Sequence, residues 1–206
     1  MSGAFPISTA KFESLGIKSI QNTIISKTVS GKKLARQIDN QRFSFTVQIV
    51  TAKRSDVYGE LMAFIMKQRS GKENFTIIPP EIEDARGNET GTVLVNGSHA
   101  VGDTTIAMDA HHNDNPHAFK AGDFIKFASH TKVYMVVADV QASSNASTVT
   151  IEPPLIATVA DDSVVTYDNV PFTVYLTNDI QEFGVSGVSN DGKLYYEYQF
   201  DVEEAL

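Results

Sequence analysis

Two long stretches of strict alternation, far apart in the sequence, constrain this chain more than anything else in it. In residues 42–50, RFSFTVQIV, Phe43, Phe45, Val47 and Ile49 share one face, while Arg42, Ser44, Thr46 and Gln48 share the other. In residues 194–202, Leu194, Tyr196, Tyr198, Phe200 and Val202 alternate in the same way with Tyr195, Glu197, Gln199 and Asp201. A period of two with one apolar face is the mark of a half-buried strand. A strand of nine residues has too many backbone donors and acceptors to stand alone. The economical partner for each stretch is the other, which makes the fold discontinuous and turns part of the intervening chain into an insertion.

The texture between the two stretches changes at recognisable places. Residues 22–38, NTIISKTVSGKKLARQI, supply one or two strands around a turn at Ser30-Gly31. Residues 55–68 switch to helical spacing, with Val57, Leu61, Phe64, Ile65 and Gln68 on one stripe. Ser55 is the expected N-cap, Asp56 suits the first turn, and Gly71 fits the stop. NFTIIPP at 74–80 returns to strand character. From about residue 83 the chain reads as short strands at 92–95, 104–108, 123–127, 132–137, 148–151 and 163–167, separated by NGS, NDNP, SSNAS and DDS. That spacing suggests a small closed or partly open barrel. Beyond Pro171, Phe172, Val174 and Leu176 alternate with Thr173, Tyr175 and Thr177, and SNDG at 189–192 is a hairpin turn.

Composition narrows the function classes. Of 206 residues, 42% are hydrophobic and 20% charged, an ordinary globular balance. A net charge of −8 argues against a nucleic-acid partner, whose phosphates are bound by lysine and arginine. The cations cluster early, from Lys27 to Lys72, and the acids later. Such asymmetry suits head-to-tail contact between copies or steering toward a partner. With no cysteine, thiolate metal sites, disulfides and a thiol nucleophile are excluded. The opening MSGAFPISTAKF has no signal-peptide pattern, and no run approaches the ~18 apolar residues of a membrane span. A soluble protein is expected, without membrane insertion.

DAHHNDNPH, residues 109–117, holds three of the five histidines. Asp109, His111, His112, Asp114 and His117 have atoms that ligate zinc, nickel or iron. Their spacing does not preorganise them: adjacent His111 and His112 point opposite ways in an extended chain, and no HExxH pattern is present. Asn115-Pro116 looks like the start of a helical turn. The expectation is a solvated polar loop with pH-sensitive imidazoles and no metal.

No other segment builds an active site. There is no GxSxG elbow, and SGKKLA and RSGKEN lack P-loop spacing. Asp161-Asp162 and Glu203-Glu204 are expected to be solvated acid pairs. Tyr196, Tyr198 and Phe200 read as core, leaving Tyr195 on the opposite face.

A family resemblance enters with GDFIKF at 122–127 and HTKVYMVV at 130–137. Together with the return to long strands ending in DVEEAL, they resemble the distal tail proteins of long-tailed bacteriophages, in the siphophage-like version with an inserted OB-fold domain. The resemblance implies a β-sandwich-like domain with one helix, residues 1–82 plus 171–206, forming a hexameric ring that continues the tail tube. It implies an outward OB-like barrel at residues 83–170. An acidic ring lumen would let DNA pass without adhering. The family offers no catalytic residues to transfer, and DAHHNDNPH is not part of its recurring pattern.

The expectation is therefore a mainly β, two-domain, non-enzymatic structural protein of a phage tail tip or baseplate, made in the host cytoplasm and resident in the virion. Expected partners are further copies of itself, the tail tube protein and the baseplate hub protein, with tape measure protein or tail fibres as further candidates. Catalytic, cofactor-binding and metal residues are expected to be none. Two other readings are a carbohydrate-binding module for host recognition, using barrel loops and exposed tyrosines, and a metal-dependent enzyme built on the histidine loop.

Overall fold

The computed structural model describes residues 3–7, 11–112 and 114–206. Within them the chain is mainly β, with one α-helix and a six-stranded sheet that nearly closes into a barrel. The two alternating stretches are the longest strands, β4 (Arg42–Lys53) and β16 (Leu194–Glu204). They pair antiparallel from Tyr195↔Lys53 to Glu203↔Ser44. Their apolar faces coincide, so Phe45, Val47, Ile49, Tyr198, Phe200 and Val202 are buried together.

Around this pair a six-stranded sheet forms. β1 (Phe12–Ile20) lies outside β4, and β14 (Phe172–Leu176) and β5 (Phe75–Ile77) follow on the far side of β16. β15 (Phe183–Val188) pairs with the first half of β16 through the SNDG turn, where Gly192 has φ 75°. Between β1 and β4 a hairpin projects, β2 (Thr23–Lys27) and β3 (Lys33–Gln37), turning at Gly31 and exposed along its whole length.

The helix α1 (Gly59–Lys67) packs Leu61 and Ile65 onto this sheet, but neither expected end signal operates. The chain leaves β4 through a π-helical turn, Arg54–Tyr58, so Ser55 does not cap, and its hydroxyl donates to Asp56 Oδ1 at 2.9 Å instead. The stop is made by Arg69 and Ser70 at φ 53° and 61°, while Gly71 has φ −80°. Gly71 answers a different need: a Cβ there would lie 2.5 Å from the Leu176 carbonyl oxygen.

Between β5 and β14, which are themselves antiparallel neighbours, the chain makes its excursion. β6 (Leu94–Val95), β7 (Thr105–Asp109), β9 (Phe124–Phe127), β10 (Val133–Val136), β12 (Ser147–Glu152) and β13 (Val165–Thr166) form one sheet in the order β13-β9-β10-β12-β7-β6. Leu94 bridges Val164, and Val165 N–H donates to the Val93 carbonyl at 3.0 Å, which brings the two ends of the sheet together. Inside lie Ile106, Met108, Ile125, Phe127, Tyr134, Val149 and Ile151. All six expected short strands are present. Two more, β8 (Asn115–Phe119) and β11 (Val140–Ala142), pair with each other beside them. Asn115-Pro116 therefore opens a strand and not a helical turn; the Asn115 side chain accepts from His117 N–H at 3.0 Å, a local turn that needs no helix.

Candidate functional site at the junction of the two sheets

The chemistry of this protein is concentrated where the barrel-like sheet meets the long-stranded sheet. Lys132, just before β10, has a fully buried side chain, as does Glu204 at the end of β16. Lys132 Nζ donates to Glu204 Oε2 and, at 2.9 Å, to Gln41 Oε1, and it stands 4.5 Å from the centroid of the Phe43 ring. The Glu204 carboxylate also accepts backbone N–H groups from both sides, Val133 at 2.8 Å and Phe43 at 3.1 Å. One carboxylate thus ties the first residues of β4 to the first residues of β10. Burial pushes the Lys132 ammonium below its ordinary pKa, opposed by the charge and hydrogen bond of Glu204.

Beside the ion pair is an aromatic cluster. Phe124 of β9 meets Phe43 and Phe172 edge-on at 5.3 and 5.6 Å, and Phe45 meets Phe172 at 4.9 Å. Lys126 Nζ donates to the Pro171 carbonyl at 3.1 Å, where the chain returns to the long-stranded sheet. The junction has the chemistry of a structural joint between the two sheets. Lys132 and Glu204 are paired with each other and with protein donors and acceptors, and both are shut away from water.

A second buried polar centre accounts for the first histidine of DAHHNDNPH. Glu89 and His111 both have fully buried side chains; His111 Nδ1 lies 2.8 Å from Glu89 Oε2, and its Nε2 lies 2.7 Å from Ser147 Oγ. Glu89 Oε1 accepts from the backbone N–H groups of Thr90, Gly91 and His112 at 3.0–3.1 Å. Burial pushes Glu89 up, but His111 and these N–H groups outweigh it and hold the carboxyl at about 2. The ionised carboxylate only accepts, so Nδ1 carries the proton.

Comparison with protein families matches residues 82–170 to the model described as distal tail protein pb9, B domain. Residues 82–170 are similar to a distal tail protein B domain. The match supports a structural component of a phage tail, in line with what the GDFIKF and HTKVYMVV resemblance implies. No curated protein matches the chain.

Within the B domain, the residues that carry the resemblance do structural work. Asp123 of GDFIKF is buried and accepts from Arg86 N–H at 2.9 Å and Lys120 N–H at 2.8 Å, closing the turn at Gly122. His130 and Tyr134 of HTKVYMVV meet at 2.8 Å, Nδ1 to hydroxyl, and burial lowers the His130 pKa. Lys132 is the junction cation. The B domain's histidine segment is divided, as the opposed directions of adjacent side chains require: His111 is buried, correcting the reading of a wholly solvated loop, while His112, Asp114 and His117 are exposed and Asp109 is half-buried. Asn113 lies outside the described residues. Among the described residues no three metal-ligating side chains converge.

The other candidate residues lie apart from the junction, with one exception. Asp161 accepts from Gly97 N–H at 2.6 Å on the surface. Glu203 pairs with Arg42 at 3.1 Å, but its neighbour Glu204 is not the solvated acid expected from its position. Tyr198 and Phe200 are core, and Tyr196 is half-buried against Tyr58. What sequence reasoning missed is the Lys132–Glu204 pair. The available signal was parity: Glu204 shares the face of Phe200 and Val202, where an ionised side chain requires a buried partner.

Proposed function

We propose that this protein forms a ring, hexameric as the family resemblance implies, that joins the tail tube to the baseplate hub. Residues 1–82 and 171–206 form the ring domain, and residues 83–170 form an outward domain of OB-like fold. The observation that carries this reading is the setting of the B domain. It matches at 82–170, between two strands that are themselves hydrogen-bonded neighbours, Phe172↔Ile77. A domain inserted at that point leaves the long-stranded sheet continuous. The buried ion pair and aromatic cluster then hold the insertion at a fixed angle, which suits a part repeated around a symmetric assembly.

Light scattering and negative-stain images of the purified protein are expected to show rings, and antibody labelling of virions is expected to decorate the tail tip. A protein that stays monomeric up to millimolar concentration, together with labelling elsewhere on the particle, overturns the reading.

A further inference from the structure

All five histidines lie between residues 99 and 130, so histidine chemistry in this chain belongs to the barrel-like sheet and not to the long strands. His112 and His117 are exposed. His99 and His111 each face a carboxylate, Asp103 at 3.6 Å and Glu89 at 2.8 Å. His130, in the turn between β9 and β10, differs. It is buried against the Phe127 ring, the Tyr134 hydroxyl and the Thr158 carbonyl. Among the described residues no carboxylate pairs with it, and burial lowers its pKa from the ordinary 6.5.

The hydrogen bonds of His130 fix its protonation state. The Thr158 carbonyl only accepts, so Nε2 donates to it at 3.3 Å and Nδ1 is the nitrogen without a proton. Nδ1 accepts from the Tyr134 hydroxyl at 2.8 Å, and the Tyr134 oxygen in turn accepts from Ile156 N–H at 3.3 Å. A second proton on the ring reverses one link. Nδ1–H then points at the Tyr134 oxygen, the Tyr134 proton loses its acceptor inside the core, and the added charge is buried without a partner. On the far side of Tyr134 the Glu204 carboxylate acts on the hydroxyl from the junction. The His99 ring is occupied elsewhere, its Nε2 accepting from Ala107 N–H at 3.1 Å.

What His130 and Tyr134 hold is a short segment outside any strand. Leu155 and Val159 are buried and anchored by backbone bonds to residues 99–103. Leu155 N–H donates to the Asp103 carbonyl at 2.9 Å, its own carbonyl accepts from Gly102 N–H at 2.8 Å, and His99 and Val159 exchange bonds at 3.0 Å. Between these anchors, residues 156–158 are half-buried or exposed and are fastened by the two side chains. Ile156 also lines the groove that separates the barrel from residues 37–41, at the base of the β2–β3 hairpin.

We propose that His130 is an acid-released latch: neutral, it holds residues 156–158 against the barrel, and protonated, it lets them lift between the Leu155 and Val159 anchors, opening the groove wall at Ile156. The sign follows from linkage. A histidine whose folded pKa is lowered binds its proton better in the opened state, so the closed state loses stability as pH falls below 6.5. Openings of this size proceed without global unfolding.

Amide hydrogen exchange read by NMR in the full-length protein tests the latch, with rates corrected for their intrinsic pH dependence. Protection of the Ile156 amide is expected to fall about tenfold or more between pH 7 and pH 5, as an opened-state histidine of ordinary pKa requires. The Val136 and Ile151 amides, bonded to the Asp123 and Thr104 carbonyls, are expected to keep their protection. His130→Gln, whose amide donates to Thr158 and accepts from Tyr134 without titrating, is expected to abolish the fall at Ile156. The window lies above pH 4.5, where the Glu89 contribution is still in place. Protection at Ile156 that is unchanged at pH 5, that falls equally in His130→Gln, or that falls in step with Val136 and Ile151 overturns the latch. Should His130→Gln not fold, the comparison of Ile156 with Val136 and Ile151 in the natural protein decides alone.

Discussion

Lys132 and Glu204 form a fully buried ion pair across the junction of the two sheets, and the same carboxylate accepts the backbone N–H groups of Phe43 and Val133. Removing one partner leaves the other charge buried and unpaired, which costs about 3–5 kcal/mol. Lys132→Met and Glu204→Gln are each expected to lose stability of that order in urea denaturation. The double variant is expected to lose clearly less than the sum, because no uncompensated charge remains. Strict additivity would show that the pair is not coupled.

The Glu89–His111 centre makes a prediction about acid. The folded carboxyl is held at about 2 against an ordinary 4.5. A depressed carboxylate pKa contributes stability that is fully present above the unfolded value, and this contribution declines as pH falls from 4.5 to about 2. The contribution is on the order of 3 kcal/mol. Urea midpoints compared at pH 6 and pH 3 are expected to show a smaller acid loss in Glu89→Gln than in the natural protein. An unchanged difference would place the acid sensitivity elsewhere.

Adjacent histidines are expected to behave in opposite ways. His111→Ala strands a buried carboxylate and should cost about 2–3 kcal/mol. Replacing exposed His112 or His117 by Ala should stay within about 0.5 kcal/mol. Thermal melts of the three variants, with and without added zinc, provide the check. Zinc stabilisation that requires both His112 and His117 would revive the metal reading of this segment.

Gly87 is fixed by its neighbour rather than by its own backbone. A Cβ there would stand 2.0 Å from the Ala118 carbonyl oxygen, beside the hydrogen bond from Asn88 N–H to the His117 carbonyl at 2.7 Å. Gly87→Ala must push segment 86–88 off β8, at a cost of about 1–3 kcal/mol, visible as a lowered Tm. A melt unchanged by the substitution would mean that β8 yields freely.

The sequence alone determined the elements whose signal is periodic. Alternation placed β4 and β16 and identified Phe45, Val47, Phe200 and Val202 as core, and turn residues separated the six short barrel strands. These signals are local, because each side chain's face follows from backbone geometry. β8 escaped because Asn-Pro has the same local appearance in a turn and at the start of an edge strand. The end signals of α1 misled for a related reason: Gly71 is a glycine because Leu176, more than a hundred residues away, packs against it.

Only the tertiary structure decided which charges are buried. Glu203 and Glu204 are the same residue type in adjacent positions, yet one pairs near the surface with Arg42 and the other lies in the core with Lys132. Parity separates their faces, but the partner that makes burial of Glu204 tolerable comes from a different sheet. Pairing of that kind depends on how two independently patterned sheets dock, and no local period in either one encodes it.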